Sequence, residues 1–396
     1  MRIAIFTNNY LPNPFGVSMS IESFRKEFER LGHTVYIFAP AFKGYIDENE
    51  NACLSDSRVF RYLSIDLKFK DIRFPIVIPY SYRIGRILEE LEIDVIHSQH
   101  PNLLGWQAKR WAKKKNVPLV FTWHTLYDQY AHFVPLVPEK IAAWWAIGNA
   151  VSYANKCDQV IVPTKSIKKI INDWGVENKN IVAIPTGVEE SFFENPERET
   201  MRKQLEISDD EIVLLLMSRM TAEKNVQFLV RSVIPILKKN KKVKFILAGE
   251  GIELPQLRKM IAEAQLENQV IFQGIASREV TKNIYAASDI FVYASKSETQ
   301  GMIISEAMCL GLPVVAVNAT GAKDLVTNHV TGLLVDENRD AFSAAVKRLV
   351  DDEELRNKFS QNAKIIALEN YTSEICSQEM LEVYKNVIER KQRGLK

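Results

Sequence analysis

Short β-branched and aliphatic runs alternate along the chain with stretches whose apolar positions recur every three or four residues. "RIAIFT" (2–7) leads into the amphipathic pattern "SIESFRKEFERLG" (20–32), and then comes "TVYIFAP" (34–40). "DVIHSQ" (94–99), "LLGWQAKRWAKKK" (103–115), "PLVFTWH" (118–124), "EKIAAWWAIGNAVSYANK" (139–156) and "QVIVPT" (159–164) continue the alternation. It restarts with "EIVLLLMSR" (211–219) and "NVQFLVRSVIPILKKN" (225–240), a helix that carries Pro235. "VKFILAGEG" (243–251), "ELPQLRKMIAEAQ" (253–265), "QVIFQG" (269–274), "DIFVYAS" (289–295), "PVVAV" (313–317) and "GLLV" (332–335) follow. Strands that alternate with helices predict parallel sheets covered on both faces, and each half is long enough for one doubly wound α/β domain.

At 396 residues the chain exceeds a comfortable single core, so two domains are expected. The turn-rich segment "IPTGVEESFFENPERET" (184–200) falls between the two series. It divides an N-terminal domain, 1–187, from a C-terminal one, 188–372. A closing amphipathic helix, 373–396, is expected to pack back on the first. Acids and bases nearly cancel at a net charge of +2, which gives no reason to expect a nucleic-acid partner. The four cysteines are far apart with no CxxC pair, which fits a reducing compartment. "MRIAIFTNNYLP" lacks the apolar core and cleavage site of a signal peptide, and no window reaches about 18 apolar residues. A cytoplasmic protein is expected, one that can lie on the inner face of the plasma membrane.

"SETQGMIISEAMCLGLP" (297–313) poses the chemical question. Its apolar positions predict a short helix stopped by Gly311 and Pro313, yet Glu306 sits inside it and Glu298 just before it. A buried carboxylate costs several kcal/mol unless something binds it. In open α/β sheets ligands bind beyond the carboxyl ends of the strands, so two such domains present those ends to a shared cleft. There the amides of Gln300, Gly301, Met302 and Ile303 form a helix N-terminus suited to phosphate. Glu306, with its several lone pairs, suits the vicinal diol of a ribose. Arg219 and Lys224, after "EIVLLLMS", suit a diphosphate. Gly249 and Gly251 leave room for a flat ligand, and Gly16, ahead of the first helix, leaves amides near an anion. A GxGxxG fingerprint is absent, which disfavours an NAD enzyme.

Two further features stand apart. His124, Asp128 and His132 recur at helical spacing after "PLVFTW". They read as a metal site, as a cleft histidine oriented by Asp128, or as a half-buried histidine bonded to backbone. "GWQAKRWAKKK" interleaves Trp106 and Trp111 with Lys109, Arg110, Lys113, Lys114 and Lys115. It reads either as a contact with an anionic membrane or as a core-packed helix with a solvated basic end. "IAAWWAIG" and "LKFKDIRFPIVIP" add aromatic and basic character.

Glu298 and Glu306 resemble the E-x7-E signature of retaining glycosyltransferases of GT-B fold, in the large family-four group of nucleotide-sugar enzymes. "SRMTAEKN" resembles the family's R-x4-K diphosphate clamp, "AGEG" its A-G-x-G turn, and "VIFQGI" the strand whose next residue, Ile275, meets the base through backbone. "ATGAKDLVTNHVTGLLV" resembles the segment that closes the second domain. The resemblance covers essentially the whole chain. The first half, with "NNYLPNPFGVSMS" and "FTWHTLYDQYAHFV", is similar to bacterial diacylglycerol glucosyltransferases, although Phe15 and Gly16 stand where members usually carry two glycines. The resemblance implies two Rossmann-like domains and transfer of a hexose, glucose from UDP-glucose, to diacylglycerol. The first alternative is a soluble sugar or phenolic acceptor, and the second a GT-B nucleotide-sugar epimerase. A nucleotide-sugar sensor without turnover is the non-enzyme reading. The resemblance assigns the donor to Gly16, Arg219, Lys224, Gly249, Glu250, Ile275, Glu298, Gln300, Gly301, Met302, Ile303 and Glu306. It places His124 beside the transferred sugar with Glu298, and implies neither a tightly bound cofactor nor a required metal.

Overall fold

The protein is described from a computed structural model over residues 1–13, 15–47, 58–69, 72–130 and 138–394, with the side chains of 66–74 and 130 left aside. It divides into two units, Met1–Thr186 with Cys376–Lys396, and Gly187–Ile375.

The first unit is built on a seven-stranded parallel sheet. Its order is Val59–Tyr62, Thr34–Pro40, Arg2–Phe6, Val95–Ser98, Leu119–Thr122, Gln159–Val162, Ile181–Ala183. The strand Arg2–Phe6 shows why its residues form a central strand. Ile3 and Ile5 fill one face of the sheet while Ala4 and Phe6 fill the other, all four buried. The chain runs outward from this strand to one edge, then returns to its other side at Val95–Ser98. That reversal opens a crevice beyond the strand ends, where Thr7–Asn9 and Gln99–His100 lie. An antiparallel pair, Ser64–Phe69 with Ile72–Val77, is an element that the alternation did not predict; most of "LKFKDIRFPIVIP" falls on it, while Lys70 and Asp71 lie outside the described residues.

The closing helix, Ser373–Gln392, lies in this unit beyond Cys376. Cys376, Met380, Tyr384 and Val387 form a buried stripe three to four residues apart, against Ile3, Ile5, Phe28 and Val35. Tyr384 Oη lies 2.6 Å from Nδ1 of His97, and Lys391 pairs with Asp158 at 3.1 Å.

The second unit holds a six-stranded parallel sheet in the order Val270–Gln273, Val243–Ala248, Ile212–Met217, Ile290–Tyr293, Val314–Val317, Gly332–Val335. It reverses between Ile212–Met217 and Ile290–Tyr293, so the loops after those two strands flank the crevice. They carry Arg219 with Lys224, and Ser295 with Glu298. Among the described residues no helix is long and apolar enough to cross a membrane.

Candidate active site

Both acids of the second unit already hold protein partners. The strand Ile290–Tyr293 delivers Tyr293, the loop that follows delivers Ser295 and Glu298, and the helix Met302–Cys309 begins after Gly301. Three donors converge on Oε1 of Glu298: the Lys224 ammonium, Tyr293 Oη at 2.5 Å and Ser295 Oγ at 2.9 Å. Burial alone pushes this carboxyl up. Lys224 and the two hydroxyls more than offset it and hold Glu298 below the usual carboxylate range. Glu306 is 6% exposed and pairs through Oε1 with Nη1 of Arg278 at 2.6 Å, while Tyr285 Oη donates to Oε2 at 3.2 Å.

The two cations that the sequence paired differ in situation. Lys224 is buried, on a single 3-10 turn, Ala222–Lys224, and is committed to Glu298. Arg219 is half exposed and lies 3.5 Å from Glu223. The glycines of "AGEG" correct the sequence reading. A Cβ on Gly249 would stand 2.0 Å from the Ser218 carbonyl oxygen, and one on Gly251 2.3 Å from that of Met220. The space they leave is filled by the chain's own backbone. Met220 N–H donates to the Glu250 carbonyl at 2.8 Å, so the turn presses against the loop that carries Arg219. Gly321, at φ +83°, does the same for "ATGAKD": a Cβ there would lie 2.7 Å from Cβ of Glu298.

The remaining donor candidates sit at the same end of the sheet. Ile275 is exposed after Val270–Gln273. The helix Met302–Cys309 has no side-chain cap at its N-terminus, where Gly301 is left-handed at φ 83° and Gln300 precedes it. Met302 and Ile303, half-buried, form its first turn. In the first unit, Gly16 opens the helix Gly16–Arg30 behind a half-buried Phe15, and a Cβ there would meet nothing within 4 Å.

His124 differs from expectation in its setting. It lies in the loop before the helix Tyr127–Tyr130, not on it, and its Nε2 lies 2.6 Å from Oε1 of Gln99. Asp128 is exposed and accepts from Gln129 Nε2 at 3.1 Å, so it does not orient the ring. His132 lies outside the described residues, and among those residues no group of acids, histidines and cysteines is placed to hold a metal. Desolvation, reinforced by His100 and His97, pushes His124 down to about 3, which leaves the ring neutral. With the Gln99 amide oxygen facing it, Nε2 carries the proton and Nδ1 is an acceptor.

Around it the sequence reading missed a polar cluster. His100 Nδ1 accepts from the Asn8 amide at 3.1 Å, Asn8 Nδ2 donates to the Asn102 carbonyl at 3.0 Å, and Asn149 reaches the Asn102 side chain. The second unit hid four more partners, Arg278, Tyr285, Tyr293 and Ser295. The tyrosines read as strand and helix core, and nothing in their spacing points to the acids.

The basic helix, Leu104–Lys115, shares its residues between core and surface. Trp106 is exposed and Trp111 buried at 5%, so the two tryptophans do not make one surface. Lys109, Arg110, Lys113 and Lys114 are exposed, and Lys114 pairs with Glu89 at 2.5 Å. Lys115 donates to the Glu89 and Leu91 carbonyls that end the neighbouring helix Tyr82–Glu90. The helix Glu139–Ala154 carries the larger apolar surface, with Ile141, Trp144 and Trp145 exposed on its first two turns.

Comparison with known proteins adds to this geometry. The profile described as "Glycosyltransferase Family 4" matches residues 15–192, and that described as "Glycosyl transferases group 1" matches 197–365. An alpha-monoglucosyldiacylglycerol synthase of Streptococcus pneumoniae is 31% identical, over 94% of this chain and 83% of that protein. A GDP-mannose-dependent alpha-mannosyltransferase of Corynebacterium glutamicum is 26% identical, over 99% of this chain and 91% of its own length. The solved structure of Anabaena HepE in complex with UDP and glucose superposes with a TM-score of 0.76 at 20% identity, covering 98% of this chain and 100% of that one. That last likeness concerns the fold alone.

Proposed function

Because the chain belongs to the GT-B glycosyltransferases of group 1 and family 4, we propose that it moves glucose from UDP-glucose to diacylglycerol at a membrane surface, with retention of anomeric configuration. The observation that carries this reading is the Lys224–Glu298 pair, set with Arg219 where the second sheet reverses. Two cations and a carboxylate able to accept hydroxyls, on neighbouring loops, support a sugar-diphosphate ligand, which calls for both kinds of group.

In this reading Arg219 and Lys224 stabilise charge that builds on the departing diphosphate, helped by the N-terminal amides of Met302–Cys309. Glu306 accepts the ribose diol, Ile275 meets the base through backbone, and Glu298 accepts hexose hydroxyls. The acceptor hydroxyl attacks the anomeric carbon on the face from which UDP leaves. The bond from that carbon to the diphosphate oxygen breaks as the new glycosidic bond forms, and the hydroxyl proton passes to the leaving phosphate. His124, neutral, serves the transferred sugar as a hydrogen-bonding group and not as a proton carrier. The synthase relative supports a lipid acceptor, as do Ile141, Trp144 and Trp145 exposed on one helix and the cations Lys109, Arg110, Lys113 and Lys114 on another.

The test is an acceptor screen with labelled UDP-glucose and labelled GDP-mannose. It offers diacylglycerol in anionic vesicles, a panel of soluble sugars and phenols, and water. Glucose label in the lipid extract is the expected result. Label on a soluble acceptor alone removes the lipid from the reading, and turnover of GDP-mannose alone replaces the donor.

A further inference from the structure

We propose that Arg278 is the positioning residue of the ribose seat, remaining paired with Glu306 when nucleotide binds and holding the carboxylate open to the two ribose hydroxyls. The proposal rests on the assignment of Glu306 to ribose.

Four side chains form a closed ring of contacts. Arg278 bonds Glu306 at 2.6 Å and stacks over the Phe192 ring, its guanidinium carbon 4.1 Å from the centroid. Phe192 meets Tyr285 edge to face, with centroids 5.8 Å apart at 78°, and Tyr285 donates to the other oxygen of Glu306 at 3.2 Å. Arg278 and Tyr285 are seven residues apart on the helix Arg278–Ala287 and so share a face. Phe192 comes from the short helix Glu190–Phe193 and is 2% exposed, which gives the guanidinium a fixed surface.

The stoichiometry of lone pairs fits a diol. A carboxylate offers about four acceptor sites. Arg278 and Tyr285 occupy one on each oxygen, and the two that are left match two vicinal hydroxyls. Electrostatics decides whether the ribose joins Arg278 or displaces it. Ribose carries no charge, so an exchange would leave Glu306 buried without a countercharge just as the ligand excludes water. Hydroxyl hydrogen bonds do not offset that cost. Arg278 is half exposed at its outer side, so the pair can persist with the guanidinium partly solvated.

The experiment titrates the full chain with UDP and with 2′,3′-dideoxy-UDP, which lacks both hydroxyls. Wild type should prefer UDP. Arg278→Gln should weaken UDP about tenfold, the loss of one charge-assisted hydrogen-bond network, and change dideoxy-UDP by less than about twofold. Arg278→Lys should restore part of the preference. Tyr285→Phe, which keeps the ring packed on Phe192, should erode it in the same hydroxyl-dependent way and serves if Arg278→Gln fails to fold. Tighter UDP binding by Arg278→Gln would make Arg278 a gate and overturn the proposal. Equal weakening of both nucleotides would overturn it too, since Arg278 would then act on phosphate, base or fold. Glu306→Gln separates this from the underlying assignment. If it leaves the UDP preference intact, Glu306 is not the ribose acceptor, whatever Arg278 does.

Discussion

Acid should unfold the first unit early, because three of its histidines are held neutral. Desolvation pushes His97 down to about 3, His100 to about 4 and His124 to about 3. His97 is 3% exposed between Tyr384 Oη at 2.6 Å and Thr122 Oγ1 at 2.7 Å, so both ring nitrogens are already engaged. In the unfolded chain each returns to about 6.5. Between those values the unfolded state binds more protons than the native one, so stability is full above about pH 6.5 and falls as pH drops. Each histidine contributes at most about 1.4 kcal/mol per pH unit, and the three together about 4 kcal/mol. Against a domain stability of about 5–15 kcal/mol, a fall of about two pH units below 6.5 removes about 8 kcal/mol, a large share of the whole. His33, lowered by burial and by the N-terminal ammonium, acts in the same direction. All six tryptophans lie between Trp106 and Trp174, within this unit, so their fluorescence follows it selectively. Urea midpoints read by tryptophan fluorescence should therefore change little near pH 7 and drop increasingly from about pH 6.5 to 5. His97→Gln should remove about one third of the slope. Midpoints that stay level over that range, or a slope that His97→Gln leaves unchanged, would refute the reasoning.

Other perturbations act on the second unit and on the surface. Lys224→Met leaves Glu298 buried with Tyr293 and Ser295 as its hydroxyl donors and without the ammonium. It should cost about 3 kcal/mol at pH 7 by circular dichroism in urea, the low end for a broken buried pair. Because the pair holds Glu298 below its unfolded range, that cost should shrink as pH falls below about 4.3. Gly249→Ala meets the Ser218 carbonyl at a backbone φ of +127° and should destabilise by roughly 3 kcal/mol, visible as a lowered thermal midpoint. Replacing Trp144 and Trp145 together by serine should leave the urea midpoint within about 0.5 kcal/mol. The same change should abolish flotation with anionic vesicles if that helix faces lipid.

Much of the fold was legible because its strands are buried on both faces, which turns them into unbroken apolar runs such as "IVLLLM" between turn signals. Glu298 and Glu306 were legible for the opposite reason, as charges inside an apolar pattern. Their partners were not. Arg278 meets Glu306 from 28 residues away and Gln99 meets His124 from 25, and such meetings follow from strand order, not from local period. Trp106 and Trp111 stand five residues apart, about 140° around a helix, so one faces solvent and the other the core although the lysines between them look continuous. The antiparallel pair of Ser64–Phe69 with Ile72–Val77 escaped because the sequence "FKDIRF" mixes charge and aromatics without strict alternation.

The most direct measurement is calorimetric titration of UDP and UDP-glucose into the wild type, Glu306→Gln and Glu298→Gln. If the second unit seats a nucleotide sugar as described, wild type binds both ligands and Glu306→Gln weakens both alike. Glu298→Gln then weakens UDP-glucose more than UDP, which has no hexose for it to hold and feels the change only through Lys224. Loss of UDP and UDP-glucose to the same degree in Glu298→Gln, or unchanged binding of both in Glu306→Gln, would contradict the assignment of the two acids.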